Sequence, residues 1–221
     1  MKKLYLVSIF VVLLSFFATA QKSVSEATIV YDISVLKSDN PKISSALEGA
    51  TLSLYLKGNE SKSEMKSKLG READVYNSAT GNGFILKDYS GQKLMITLNK
   101  SNWIQKNSFY SGLKFNIEDY PKTIAGYKVK KASAVLPSGK EFIVYFSPEI
   151  NLSNKSYNNA FPQLNGLPIQ YELESGNVLF RYMLKSFTTD NVTDSEFDKP
   201  KADYRVMTYD ESQRLKIGNP R

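Results

Sequence analysis

Apolar and polar positions alternate with a period of two in segment after segment of this chain. Ile29, Tyr31, Ile33 and Val35 fall on one side of an extended run and Thr28, Asp32 and Ser34 on the other, the pattern of a half-buried antiparallel strand. Leu52, Leu54 and Leu56 repeat it against Thr51, Ser53 and Lys57, as do Leu94, Ile96 and Leu98 against Lys93, Thr97 and Asn99. Phe142, Val144 and Phe146 follow, and then Ile169, Tyr171 and Leu173 against Gln170, Glu172 and Glu174. Between these runs stand Lys57-Gly58-Asn59, Tyr89-Ser90-Gly91-Gln92, Pro137-Ser138-Gly139-Lys140 and Glu174-Ser175-Gly176-Asn177, which carry the Gly, Asn or Ser of tight reversals. Such short connections predict hairpins, and hence a meandering antiparallel sheet rather than parallel βαβ units.

Helical signals are few. Pro41 to Leu47 has proline in a first-turn position and Gly49 just past its end, so a short helix is expected there. Asn154 to Ala160 and Asp210 to Leu215 carry weaker helical patterns. Two strands, 142–146 and 178–184, are apolar on both faces and therefore need cover on both, from a second layer, a helix or a bound apolar ligand. No internal repeat or long linker interrupts the pattern, so residues 21–221 are expected to form a single domain.

The first residues do not belong to that pattern. Lys2 and Lys3 precede an apolar run from Leu4 to Phe17, and Ala18-Thr19-Ala20 supplies a small-x-small cleavage site, so residues 1–20 read as a signal peptide cleaved after Ala20. A helix over those 14 apolar residues would cover about 21 Å, short of the roughly 30 Å of a bilayer core. No second run approaches spanning length, and the chain has no cysteine to carry the acyl chains of a lipoprotein. A soluble exported chain, periplasmic or extracellular, is the expectation.

Removal of Lys2 and Lys3 lowers the formal net charge from +7 to +5, with 27 basic against 22 acidic residues. The basic residues are scattered, with Lys128, Lys130 and Lys131 the densest group, and no aromatic–basic module accompanies them, so nucleic acid is not an expected partner. Zero histidine and zero cysteine rule out Ser-His-Asp and Cys-His chemistry and remove the usual donors for zinc, copper and haem. Ser-x-x-Lys occurs at Ser34/Lys37, Ser63/Lys66 and Ser111/Lys114, but residues three apart on a strand point to opposite faces. Asp194, Glu196 and Asp198 alternate like the first ligands of a calcium loop, yet Lys199 stands where a glycine is wanted and Arg205 where a closing glutamate should be. No catalytic residue, cofactor or metal is therefore assigned, and a non-enzymatic protein is expected.

Several segments together resemble a known family. Ile29-Val30-Tyr31, Leu52 to Asn59, Thr123 to Ala132 with its Ile124-Ala125-Gly126-Tyr127 motif, Glu141 to Ile150 and Asn165 to Tyr171 come in an order similar to a family of exported bacterial domains of unknown function. That family lies near the outer-membrane lipoprotein carriers in fold. The resemblance implies a mainly β fold: an open, strongly curved antiparallel sheet, a partial barrel, with a few short helices over its concave side. It further implies that Leu52, Leu54, Leu56, Leu94, Ile96, Leu98, Phe142, Val144, Phe146, Phe180 and Tyr182 line an apolar concavity for a lipid or a lipoprotein acyl chain. The same residues would equally form a closed core, in which case the chain is a cell-surface interaction module for an envelope protein or polysaccharide partner.

Overall fold

Long period-two runs joined by two-residue turns have one low-energy solution, in which each strand pairs with its sequence neighbour. The computed structural model describes residues 22–158, 160–201 and 203–218; the leader expected at 1–20 lies outside the described residues. β1 (Lys22–Val24) leads into β2 (Glu26–Ser38), and α1 (Pro41–Leu47) follows where its proline and the later Gly49 predict it. β3 (Thr51–Lys57), β4 (Glu60–Ser67), β5 (Gly70–Asn77), β6 (Asn82–Tyr89) and β7 (Gln92–Leu98) run as a meander. After α2 (Lys100–Lys106) and a 3-10 turn (Ser108–Tyr110) come β8 (Asn116–Ile124), β9 (Tyr127–Val135), β10 (Glu141–Ser147) and the short β11 (Ile150–Leu152). β12 (Leu167–Ser175), β13 (Val178–Thr188), a second 3-10 turn (Asp194–Phe197), β14 (Arg205–Thr208) and α3 (Tyr209–Gly218) complete the chain.

Twelve strands form one sheet in the order β14-β7-β6-β5-β4-β3-β2-β13-β12-β10-β9-β8, and β1 pairs separately with β11. β2 is the hinge of the arrangement: it joins the first meander through β3 and the second through β13. The margins β14 and β8 do not meet, so the sheet is open rather than a closed barrel. The expected mainly β fold with a curved open sheet and a few short helices is what the chain adopts.

Some elements differ from the sequence reading. The described residues of the expected helix at 154–160 are in turns, because Asn154 and Asn158 turn their side-chain oxygens onto the backbone N–H groups of Ser156 and Ala160. The motif Ile124-Ala125-Gly126-Tyr127 forms the hairpin turn between β8 and β9, with φ of 48° at Ala125 and 83° at Gly126. α2 escapes the hydrophobic pattern because it is made by its cap: Asn99 accepts from the Asn102 N–H at 2.9 Å and Asn102 returns the bond at 3.2 Å.

The face carrying Ile29, Leu54, Val144 and Ile169 holds the largest core, and the segment 153–166 folds back across it. Phe161 and Leu164 from that segment are 3% and 0% exposed. Lys155 pins it with bonds to Asn151 Oδ1 at 2.5 Å and to the Leu164 carbonyl at 3.0 Å. Gly166 permits the close approach, since a Cβ there would stand 2.4 Å from both the Phe146 ring and the Ser147 carbonyl oxygen. On the opposite face, Val75, Phe84, Leu86 and Met95 are covered by Val192 and Phe197 from the segment 189–204.

Candidate functional site

Strand register places every apolar residue singled out from the sequence on one face. Leu54 pairs with Ile29 on one side and Ser63 on the other, and the row continues through Asp74 and Ile85 to Ile96. In the other direction Ile33 pairs with Tyr182, Tyr182 with Tyr171 and Tyr171 with Val144. Directly paired residues share a face, so Leu52, Leu54, Leu56, Leu94, Ile96, Leu98, Phe142, Val144, Phe146, Phe180 and Tyr182 are co-facial.

They are nevertheless divided among three packing groups. Leu54, Leu56, Phe142, Val144 and Phe146 lie in the large core beneath Phe161 and Leu164, each 4% exposed or less. Leu94, Ile96 and Leu98 pack beneath Trp103 of α2 and Tyr209 of α3. Phe180 joins Ile33, Leu47 and Ala50 near α1, with Leu52 and Tyr182 bordering both that group and the large core.

A polar row that the alternation did not reveal separates the first two groups. Glu72 and Asp74 of β5 project from the shared face. Tyr89 donates to Glu72 at 2.8 Å, Lys87 lies 3.2 Å from the same carboxylate, and Lys106 of α2 reaches Asp74 at 2.6 Å. Burial opposes the charge on Lys106, yet Asp74 and Glu72 hold its ammonium above the ordinary lysine range. Trp103 stacks on Tyr76 at 4.3 Å beside this row. These charges pair with one another and tie α2 to β5. Among the described residues, no group of three or more Asp or Glu is gathered as a metal site.

The α1 end differs from the rest of the face because a cavity of about 680 Å³ remains between helix and sheet. Ile33 and Val35 form its floor, and Ser38, Ser44, Ser45 and Glu48 its rim. α1 is lightly held: Asn40 caps it by accepting from the Lys42 and Ile43 N–H groups, Leu47 is its one buried residue, and Ile43 remains 38% exposed. Lys68 reaches across from the β4–β5 turn to the Ser45 carbonyl at 3.3 Å. Burial pushes the phenol of Tyr182, which packs against the Ile33 group, up to about 12, with Tyr110 adding to the shift. The arrangement offers an apolar floor with a hydroxyl-rich mouth. The rim serines carry no periodic signal, and only the Pro41 helix signal pointed to this region.

A second opening lies where β10 and β12 part company. It measures about 400 Å³, with Tyr110, Phe142 and Tyr171 among its walls and Lys140, Glu174 and Arg181 at its rim.

No family model matches the chain, and no curated protein matches it. Solved structures with a similar outline include PNGF-II, with a TM-score of 0.49 and 12% identity over 87% of this chain. The chain spans about a third of PNGF-II, 32% of its length. MucB is similar over 80% of this chain and 58% of its own, at 10% identity and a TM-score of 0.41. A β-barrel-like protein of a domain of unknown function from Brucella abortus is similar over 76% of this chain and 99% of its own, at 8% identity and a TM-score of 0.37. At these levels the likeness concerns the outline of the fold, and no residue role is transferred.

Proposed function

We propose that this chain is an exported, non-enzymatic binding protein that takes the apolar part of an amphiphile, a lipid or the acyl chain of an acylated protein, into the cavity between α1 and the sheet. The observation that carries the reading is the position of that cavity. It lies at the end of the apolar face that neither the 153–166 segment nor α2 and α3 fill, and Ile33 and Val35 of its floor belong to the packing group that holds Phe180, Tyr182 and Leu52. Its volume of about 680 Å³ falls within the roughly 300–1,000 Å³ of small-molecule sites. Each methylene buried there contributes about 0.8 kcal/mol, so ten of them gain about 8 kcal/mol before the cost of association. The resemblance to exported domains near the lipoprotein carriers supports the same role, and the signal-like residues 1–20 support export.

A second reading, an interaction module of the cell surface, draws on the filled part of the face, where Leu56, Val144 and Leu164 are at most 1% exposed. Native mass spectrometry of residues 21–221, purified gently from the source envelope and then denatured, separates the two. A stoichiometric lipid or acyl species is expected, and a folded Phe180→Asp variant should lose it. A bare mass for the unaltered chain, or undiminished uptake by the variant, transfers the weight to the interaction module.

A further inference from the structure

β10 and β12 pair through Val144–Tyr171, Tyr145–Gln170, Phe146–Pro168 and Ser147–Leu167, and there the ladder between them stops. Each strand continues on its other side: β10 stays paired with β9 as far as Glu141–Val135, and β12 with β13 as far as Ser175–Val178. The edges of Glu141–Ile143 and Glu172–Glu174 therefore face one another without a ladder. Extending the register shows why, since Glu141 would stand directly opposite Glu174, and like charges in that position destabilise a pair. The register shift between Tyr145 and Phe146 adds a bulge beside the point of parting, which increases local twist.

The gap so formed is the opening of about 400 Å³. Phe142, Tyr171 and Tyr110 lie at its depth and Ile143 and Leu179 on its walls. Burial raises the Tyr110 phenol, and the nearby Glu174 carboxylate adds to the shift, which sets this ring beside the edge that β10 leaves. Charge at the rim is mixed, three carboxylates against two cations, which leaves one carboxylate over. Lys140 pairs with Glu174 at 2.6 Å and Arg181 with Glu172 at 2.8 Å, while Glu141, which is exposed, makes no ion pair among the described residues. The Lys140–Glu174 bridge crosses the mouth with 60% and 43% of its side chains exposed, so opening it costs little.

We propose that this split is a docking slot for an extended segment of a partner polypeptide. The segment adds its backbone to the edges of β10 and β12, sets an apolar side chain against Phe142 and Tyr110, and presents lysine or arginine to Glu141, the carboxylate without an ion pair, and to Glu174 once its exposed bridge to Lys140 opens. Facing strand edges recognise a main chain, which a lipid or sugar does not supply, and strand addition of this kind takes affinity from backbone bonds and specificity from alternate side chains. The slot is distinct from the α1 cavity, so this inference stands or falls separately from the proposed ligand role.

The test uses the 21–221 chain and three synthetic peptides: an alternating lysine–valine hexapeptide, its glutamate–valine counterpart, and the lysine–valine peptide N-methylated at alternate amides. Titration calorimetry should show the lysine–valine peptide binding at least about tenfold more tightly than either of the others, a difference of about 1.4 kcal/mol. Amide exchange should slow at Glu141–Ile143 and Glu172–Glu174 when it binds. A Glu141→Val variant, which removes the opposed charges and favours closure of the ladder, should lose at least tenfold in affinity (about 1.4 kcal/mol) while remaining folded. Equal binding of all three peptides, no binding of any, protection confined to other strands, undiminished binding by Glu141→Val, or displacement of the peptide by decanoate would each overturn the slot.

Discussion

Replacing Glu64 with glutamine removes the one carboxylate at the centre of the outer-face ion cluster and keeps its shape. Glu64 is 2% exposed, and Lys66, Arg71 and Lys62 stand 2.7, 3.3 and 3.5 Å from its oxygens. Two of these cations also hold the 189–204 segment, Lys62 through Glu196 at 2.7 Å and Arg71 through the Tyr204 hydroxyl at 2.9 Å. Breaking a buried pair by removing one partner costs about 3–5 kcal/mol, because the remaining charge is left uncompensated. Lys66 and Arg71 are 57% and 37% exposed and turn towards water, whereas Lys62, 12% exposed, keeps Glu196, so the lower end near 3 kcal/mol applies. For a chain of this size that lowers Tm by about 6–12 °C.

The acid limb supplies a second readout. Burial raises the Glu64 carboxyl, but Lys66, Lys62 and Arg71 together outweigh it and hold the group below its ordinary range. A depressed folded value means that the contribution is present above the unfolded pKa of about 4.3 and is lost as pH falls through the folded value. Calorimetric scans of the wild type and Glu64→Gln at pH 7 and across the acid range should therefore converge as pH falls. A Tm change at pH 7 of less than about 2 °C, under about 1 kcal/mol, would refute the reasoning.

Leu164→Ala should cost about 2–5 kcal/mol in urea unfolding with unchanged slope, since Leu164 is 0% exposed at the centre of the covering segment. Tyr31→Phe removes a buried bond from the hydroxyl to the Pro168 carbonyl at 2.9 Å and should cost about 1–3 kcal/mol by the same assay. Burial raises the phenols of Tyr31 and Tyr171, and Tyr182 is pushed up to about 12. Their stabilisation is complete below the unfolded value near 10 and is lost as pH rises through the folded values, so unfolding and tyrosinate absorbance should appear together above pH about 10. Phenolate absorbance that grows while the fold persists would contradict that coupling.

Alternation along the chain was enough to determine β2, β3, β7, β10 and β12, because side-chain direction in a strand repeats every second residue whatever lies around it. The apolar run at 178–184 marked β13 without choosing its face, and the register between strands put Leu54, Ile96, Val144 and Tyr182 on one face. Pro41 in the first turn and Gly49 past the end determined α1 for a similarly local reason. β4 was not legible: Glu-Ser-Lys-Ser-Glu-Met-Lys-Ser from Glu60 to Ser67 has no apolar period, and the strand is held instead by its neighbours and by the ion pairs around Glu64. Tertiary structure alone decided which part of the apolar face is filled. Phe161 and Leu164 come from a segment about a hundred residues away in sequence from β3, and whether they cover Leu54 or leave it open depends on a long-range return that no local period encodes. The parting of β10 and β12 has the same origin: Glu141 and Glu174 are ordinary surface acids in the sequence, and only the register between two strands that are not consecutive in the chain sets them opposite each other.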